Sequence, residues 1–73
     1  MWEMAQFIIS IRDQRNRGFY TRVLKPDIEF ALMRARELAP ALLSLAKLYF
    51  GEQPWRLVIQ SPCGRRRIEE SLL

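Results

Sequence analysis

Along the first part of the chain, apolar residues recur at every second position. Ala5, Phe7, Ile9 and Ile11 fall on one side of an extended backbone, and Trp2, Met4, Ile8 and Ser10 on the other. That period predicts a strand over Trp2 to Ile11 with both faces partly covered. Arg12 to Gly18 is wholly polar and ends in Asn16-Arg17-Gly18, residue types that accept positive φ, so a loop is expected there. Phe19 to Leu24 resumes with aromatic and β-branched residues, and the two runs predict a hairpin with a basic tip.

The period then changes. Lys25-Pro26-Asp27 reads as a helix start, with proline in the first turn and Asp27 either capping the helix or facing its positive end. Ile28, Leu32, Ala35 and Ala39 follow one helical stripe, widened by Ala31, Leu38, Leu42, Leu45 and Tyr49. Pro40 predicts a kink or a restart as a second helix, and Gly51 a stop. Trp55 to Gln60, entered through Pro54, is the clearest strand. Ser61-Pro62-Cys63-Gly64 carries the residues of a tight turn, so Arg65 to Glu70 is expected to return as a strand.

The resulting class is α+β in the order ββαββ, antiparallel hairpins packed on one kinked helix, as a single small domain over residues 1–73. The alternative order is ββαβα, in which Arg67 to Leu73 forms a short amphipathic helix. The segments Phe19 to Leu24, Asp27 to Leu38 and Pro40 to Phe50 loosely resemble the ribbon-helix-helix repressors. No glycine-containing turn parts the two helical halves, however, and strand-like runs flank the unit on both sides, so the resemblance is not adopted.

Length sharpens the question of what holds such a domain together. A chain of 73 residues buries only roughly 60% of its unfolded surface, and scaffolds of this size lean on disulfides, a metal or oligomerisation. Cys63 is the single cysteine and histidine is absent, so neither an intrachain disulfide nor a zinc site is expected. Self-association remains. Between Leu38 and Phe50 only Ser44 and Lys47 are plainly polar, more apolar circumference than one sheet can hide. A homodimer through Leu38, Leu42, Leu45 and Tyr49 is therefore expected. The lone thiol fits a reducing, cytoplasmic setting. Met1 to Asp13 lacks the basic region of a signal peptide, and no apolar run reaches the ~20 residues of a membrane span.

A net charge of +4 and a pI near 10 favour acidic partners, and ten of the twelve cations are arginines. Arg12, Arg15, Arg17 and Arg22 crowd the first hairpin against Asp13 alone, with Tyr20 among them, and Arg65-Arg66-Arg67 forms a second basic run. Arginines beside an aromatic ring suit a nucleic-acid surface, where guanidinium groups hold phosphates and a ring stacks on an unpaired base. Catalysis has little to draw on. Without histidine, Cys63 lacks the usual base, Glu69 and Glu70 fall on opposite faces of a strand, and no glycine-rich phosphate loop is present. The sequence thus predicts a non-enzymatic binding or regulatory protein, without cofactor or metal, that contacts nucleic acid through its first hairpin. The alternative is an inhibitor or adaptor of the phage or mobile-element type that blocks a larger protein machine.

Overall fold

The structure, a computed structural model that describes residues 3–72, begins with an antiparallel hairpin of β1 (Ala5–Arg12) and β2 (Gly18–Lys25), in which Ile9 stands opposite Thr21. Phe7, Ile9 and Ile11 are buried and form the inward face of β1, and Ser10 on the other face is buried as well. Trp2 and Leu73, which the sequence reading placed in a strand and a possible terminal helix, lie outside the described residues. The hairpin closes in three residues. The Asn16 N–H donates to the Asp13 carbonyl at 3.0 Å and the Asp13 N–H to the Arg17 carbonyl at 2.9 Å. Asn16 takes the left-handed conformation this loop type requires (φ 63°).

Helix α1 (Ile28–Phe50) starts at Asp27, whose carboxylate accepts from the Glu29 and Phe30 N–H groups at 3.0 and 3.2 Å. Pro26 precedes the cap and is not in the first turn. The helix runs unbroken through Pro40, so it does not restart there as a second one. Pro40 is exposed, while Ala39 and Ala46 beside and beyond it are buried, and that packing holds the chain helical across the missing N–H. Gly51 (φ 83°) ends it, its N–H bonded to the Lys47 carbonyl at 2.9 Å.

Two more strands complete one antiparallel sheet: β3 (Arg56–Gln60) pairs with β1, and β4 (Arg67–Ser71) with β3, in the order β2-β1-β3-β4. The order is ββαββ. The alternative helix at the end of the chain is excluded through Ser71, because these residues are a ladder partner of β3. β4 begins at Arg67 and not at Arg65, because the turn is longer than a two-residue link. The Gly64 N–H bonds to the Ser61 carbonyl at 2.9 Å, and the Ser61 N–H reaches across to Arg66 at 3.0 Å. With a single helix and a four-stranded sheet, the ribbon-helix-helix arrangement is also ruled out.

α1 covers one face of this sheet. Its buried stripe is Ile28, Ala31, Ala35, Ala39 and Ala46, and the small alanines let the helix lie close over Phe7, Ile9, Leu57 and Ile59. Ala46 joins the stripe because it follows Ile28 by about five whole turns. Leu32, Leu38 and Leu42 are half-buried along the flanks, whereas Leu45 and Tyr49 are exposed. A second cluster, Ile11, Ala46 and Trp55 with Phe19 and Phe50, fills the end nearest the hairpin tip. Among the described residues no helix is long and apolar enough to cross a membrane.

Candidate nucleic-acid interface

Strand alternation that turns Phe7, Ile9, Ile11, Leu57 and Ile59 toward α1 turns the intervening residues to the opposite face, which no described element covers. The register sets them in rows. Ile8 lies between Arg22 and Gln60, Ser10 between Tyr20 and Val58, and Arg12 between Gly18 and Arg56. Arg67, Glu69 and Ser71 extend these rows onto β4, opposite Gln60, Val58 and Arg56. Four arginines therefore share a face with one carboxylate.

The middle of this face is a depression of about 140 Å³ lined by Ile8, Ser10, Arg12, Asn16, Val58, Gln60 and Arg67. Ser10 and Val58 are part of its lining and are buried although no described element lies over them. Arg12 donates to the Asn16 carbonyl at 3.2 Å, and Arg56 to the Asn16 side chain at 3.4 Å, so the left-handed tip residue orients two guanidinium groups. Glu69 accepts from Arg67 at 2.7 Å and lies 3.5 Å from Arg56. The Arg67 hydrogen bond and the two positive charges hold its carboxyl below the usual range, against the cost of burial. Arg12 and Arg22 pair with no carboxylate among the described residues. Tyr20 is 53% exposed, and the Arg22 guanidinium stands 5.3 Å from its ring centroid.

The remaining arginines of the sequence reading go elsewhere. Arg17 shares the parity of Phe19 and turns to the helix side, where its guanidinium lies 5.1 Å from the Phe50 ring centroid and 3.0 Å from Asp13. It pins the hairpin tip to the end of α1. Arg15 is exposed at the tip itself. Arg65 and Arg66 are exposed in the β3–β4 turn. Because Gln60 is level with Ile8 and Arg56 with Arg12, that turn lies at the end of the sheet away from the first tip. The two basic runs do not merge, and only Arg67 of the second reaches the central face. Arg56, absent from the sequence reading, takes their place. Its signal was present in the alternation of Arg56, Val58 and Gln60 with Leu57 and Ile59.

Asp13 is more than a counter-charge. It is fully buried, and its carboxylate accepts from the Arg15 and Arg17 N–H groups, both at 2.9 Å, and from the Arg17 guanidinium. Burial works against its charge, but the hydrogen bonds from Arg17 and Arg15 together outweigh it and hold the carboxyl below its ordinary pKa. A group whose folded pKa is depressed contributes stability that is fully present above its unfolded pKa, about 3.9, and lost as pH falls through the folded value. Asp13→Asn is therefore expected to flatten the acid loss of stability below about pH 4. Urea midpoints measured across that range check it, and parallel curves for variant and wild type would contradict it. Glu70, on the helix side of β4, pairs with Arg36 at 2.6 Å.

Cys63 is exposed in its turn with Ser61 Oγ 3.4 Å away. Hydrogen bonds from Ser61 and the Arg65 N–H draw the thiol pKa down. Leu38, Leu42 and Leu45 line a groove of about 410 Å³ along the flank of α1 beside β2, whereas Tyr49 is not part of it and its ring stands 5.4 Å from that of Phe19, centroid to centroid.

No family model, no curated protein and no solved structure matches this chain.

Proposed function

We propose that the protein is a non-enzymatic, nucleic-acid-binding regulator that holds a single strand across the open face of its sheet. The observation that carries this reading is the concentration of Arg12, Arg22, Arg56 and Arg67, with exposed Tyr20, on a face holding one carboxylate. Guanidinium forks bind phosphates, and a ring beside them stacks on an unpaired base. The depression lined by Ser10 and Val58 leaves room for a sugar or a base edge between the arginines. A duplex is the poorer fit, because its major groove takes a protruding helix or a two-stranded ribbon and this face is four strands wide. The reading requires no cofactor, places the protein in the cytoplasm, and has it act as a homo-oligomer through Leu38, Leu42, Leu45 and Tyr49.

Titration of labelled single-stranded RNA, single-stranded DNA and duplex over a range of salt tests it. Binding should favour single strands and weaken steeply with salt. Arg12→Gln with Arg67→Gln should lower the slope of log K against log salt by roughly 1.4, two phosphate contacts at about 0.7 each. Tyr20→Ala should cost single-strand affinity ~1–3 kcal/mol. Arg15→Gln, at the tip and off this face, should change little. Wild-type protein that binds none of the three at low salt sinks the proposal. The second reading, an inhibitor or adaptor that blocks a larger protein machine, then takes its place.

A further inference from the structure

β2 is an end strand, so one row of its backbone groups has no partner within the sheet. The bond from the Asp13 N–H to the Arg17 carbonyl identifies that row. Hydrogen-bonded pairs recur at every second residue of an antiparallel ladder, so Phe19, Thr21 and Val23 bond to β1. The N–H and C=O groups of Tyr20, Arg22 and Leu24 therefore point away from the sheet. An edge of this kind is a template for another strand unless proline, a bulge or a covering segment blunts it. β2 pairs with β1 without interruption over all eight residues and contains no proline.

The groove beside this edge lies between Thr21, Arg22 and Val23 on the strand and Arg34, Leu38, Ala41, Leu42 and Leu45 on α1, apolar along its helix wall and rimmed by the two arginines. On the helix the seam continues as Arg34, Leu38, Ala41, Leu45 and Leu48, steps of four and three that suit a second helix. Leu48 is 79% exposed and Tyr49 68%.

We propose that a second copy of this chain occupies both, with β2 pairing antiparallel to its counterpart and α1 lying against α1 about one two-fold axis. A two-fold axis must pass through the middle of the strand edge and the middle of the helix seam together. Here they coincide: Thr21 to Val23, the centre of β2, border the groove with Leu38 to Leu45, the centre of the seam. About that axis Ala41 meets its own copy, a small side chain that lets the helices close, and Leu38 meets the partner's Leu45. Eight residues at about 3.4 Å make a strip roughly 27 Å long. A sheet and a helix in depth, about 20 Å, then give roughly 1,000 Å² over both copies, the size at which specific interfaces begin. The chain exposes 5204 Å², about a tenth more than the roughly 4,700 Å² of a compact monomer of its mass.

Pairing makes one sheet of eight strands whose open face is continuous, with Tyr20 and Arg22 of both copies at its centre. A strand of nucleic acid crossing that centre bridges two like-charged Arg22 side chains and so strengthens the dimer. This consequence rests on the nucleic-acid reading, whereas the dimer does not.

Sedimentation equilibrium of the full chain without nucleic acid should show a dimer at micromolar concentration. Ala41→Glu sets like charges across the axis at an exposed position, and Leu24→Pro removes an outward N–H that β1 does not use. Each should weaken the dimer about tenfold or more while circular dichroism stays unchanged. In a Cys63→Ser background, Ala41→Cys should form an interchain disulfide on oxidation. A wild-type monomer at high micromolar concentration overturns the proposal, as does a dimer indifferent to both variants. A dimer that binds no nucleic acid upholds this interface and refutes the functional reading alone.

Discussion

Gly18→Ala is expected to cost more than about 3 kcal/mol, a large part of the roughly 4–11 kcal/mol that a chain of this length has in total. An alanine Cβ there would stand 1.7 Å from the Ile11 carbonyl oxygen and 2.8 Å from its carbon, both backbone atoms that cannot turn aside. The φ of 155° is itself unfavourable for any residue with a side chain, by ~1–3 kcal/mol. Relief requires β1 and β2 to part where Ile11 pairs with Phe19, which opens the cluster around Trp55 and displaces Arg12 from the open face. Urea denaturation followed by circular dichroism measures the loss. Gly51→Ala is the control: φ is 83° but a Cβ there meets nothing within 4 Å, so about 1 kcal/mol is expected. Equal losses at the two glycines would show that the clash is not what restricts Gly18.

Trp55→Ala should remove ~3–5 kcal/mol by emptying the centre of the second cluster. The indole is 2% exposed, packs with Ile11 and Ala46, and lies 6.2 Å from the Phe50 ring, centroid to centroid. Phe50 in turn carries the Arg17 guanidinium, so the loss should also loosen the hairpin tip. The indole Nε1–H has no hydrogen-bond partner among the described residues, and Trp55→Phe deletes that buried donor while keeping most of the ring. Its cost should be clearly smaller than that of Trp55→Ala, and thermal melting of the two variants compares them directly. Equal destabilisation would mean that indole shape, and not burial of an aromatic ring, holds this end of the core.

Local periodicity carried the elements a long way. Alternation in Ala5 to Ile11 and in Trp55 to Gln60, the Asp27 cap, the Gly51 stop and the Ser61–Gly64 turn are all contained in a few neighbouring residues, because backbone preference and side alternation act over that range. Continuity through Pro40 was not legible, since it depends on the sheet against which Ala39 and Ala46 pack. The same limit applied to the end of the chain, where strand and amphipathic helix were both compatible with the sequence from Arg67 onward until pairing of Arg67 to Ser71 with β3 selected the strand there.

The candidate site divides in the same way. Sequence alone determined that the chain is rich in arginine, that Arg12, Arg15, Arg17 and Arg22 crowd the same hairpin as Tyr20, and that it offers no histidine for any chemistry. Tertiary structure alone decided which arginines share a face. The order β2-β1-β3-β4 sets Arg56 beside Arg12, carries Arg65 and Arg66 to the far end, and leaves Arg17 under the helix end with Asp13. Which strands pair, and in what register, is a long-range property. A slip of one residue would move every one of these side chains to the other face, and nothing local to Arg56 or Arg17 records the outcome.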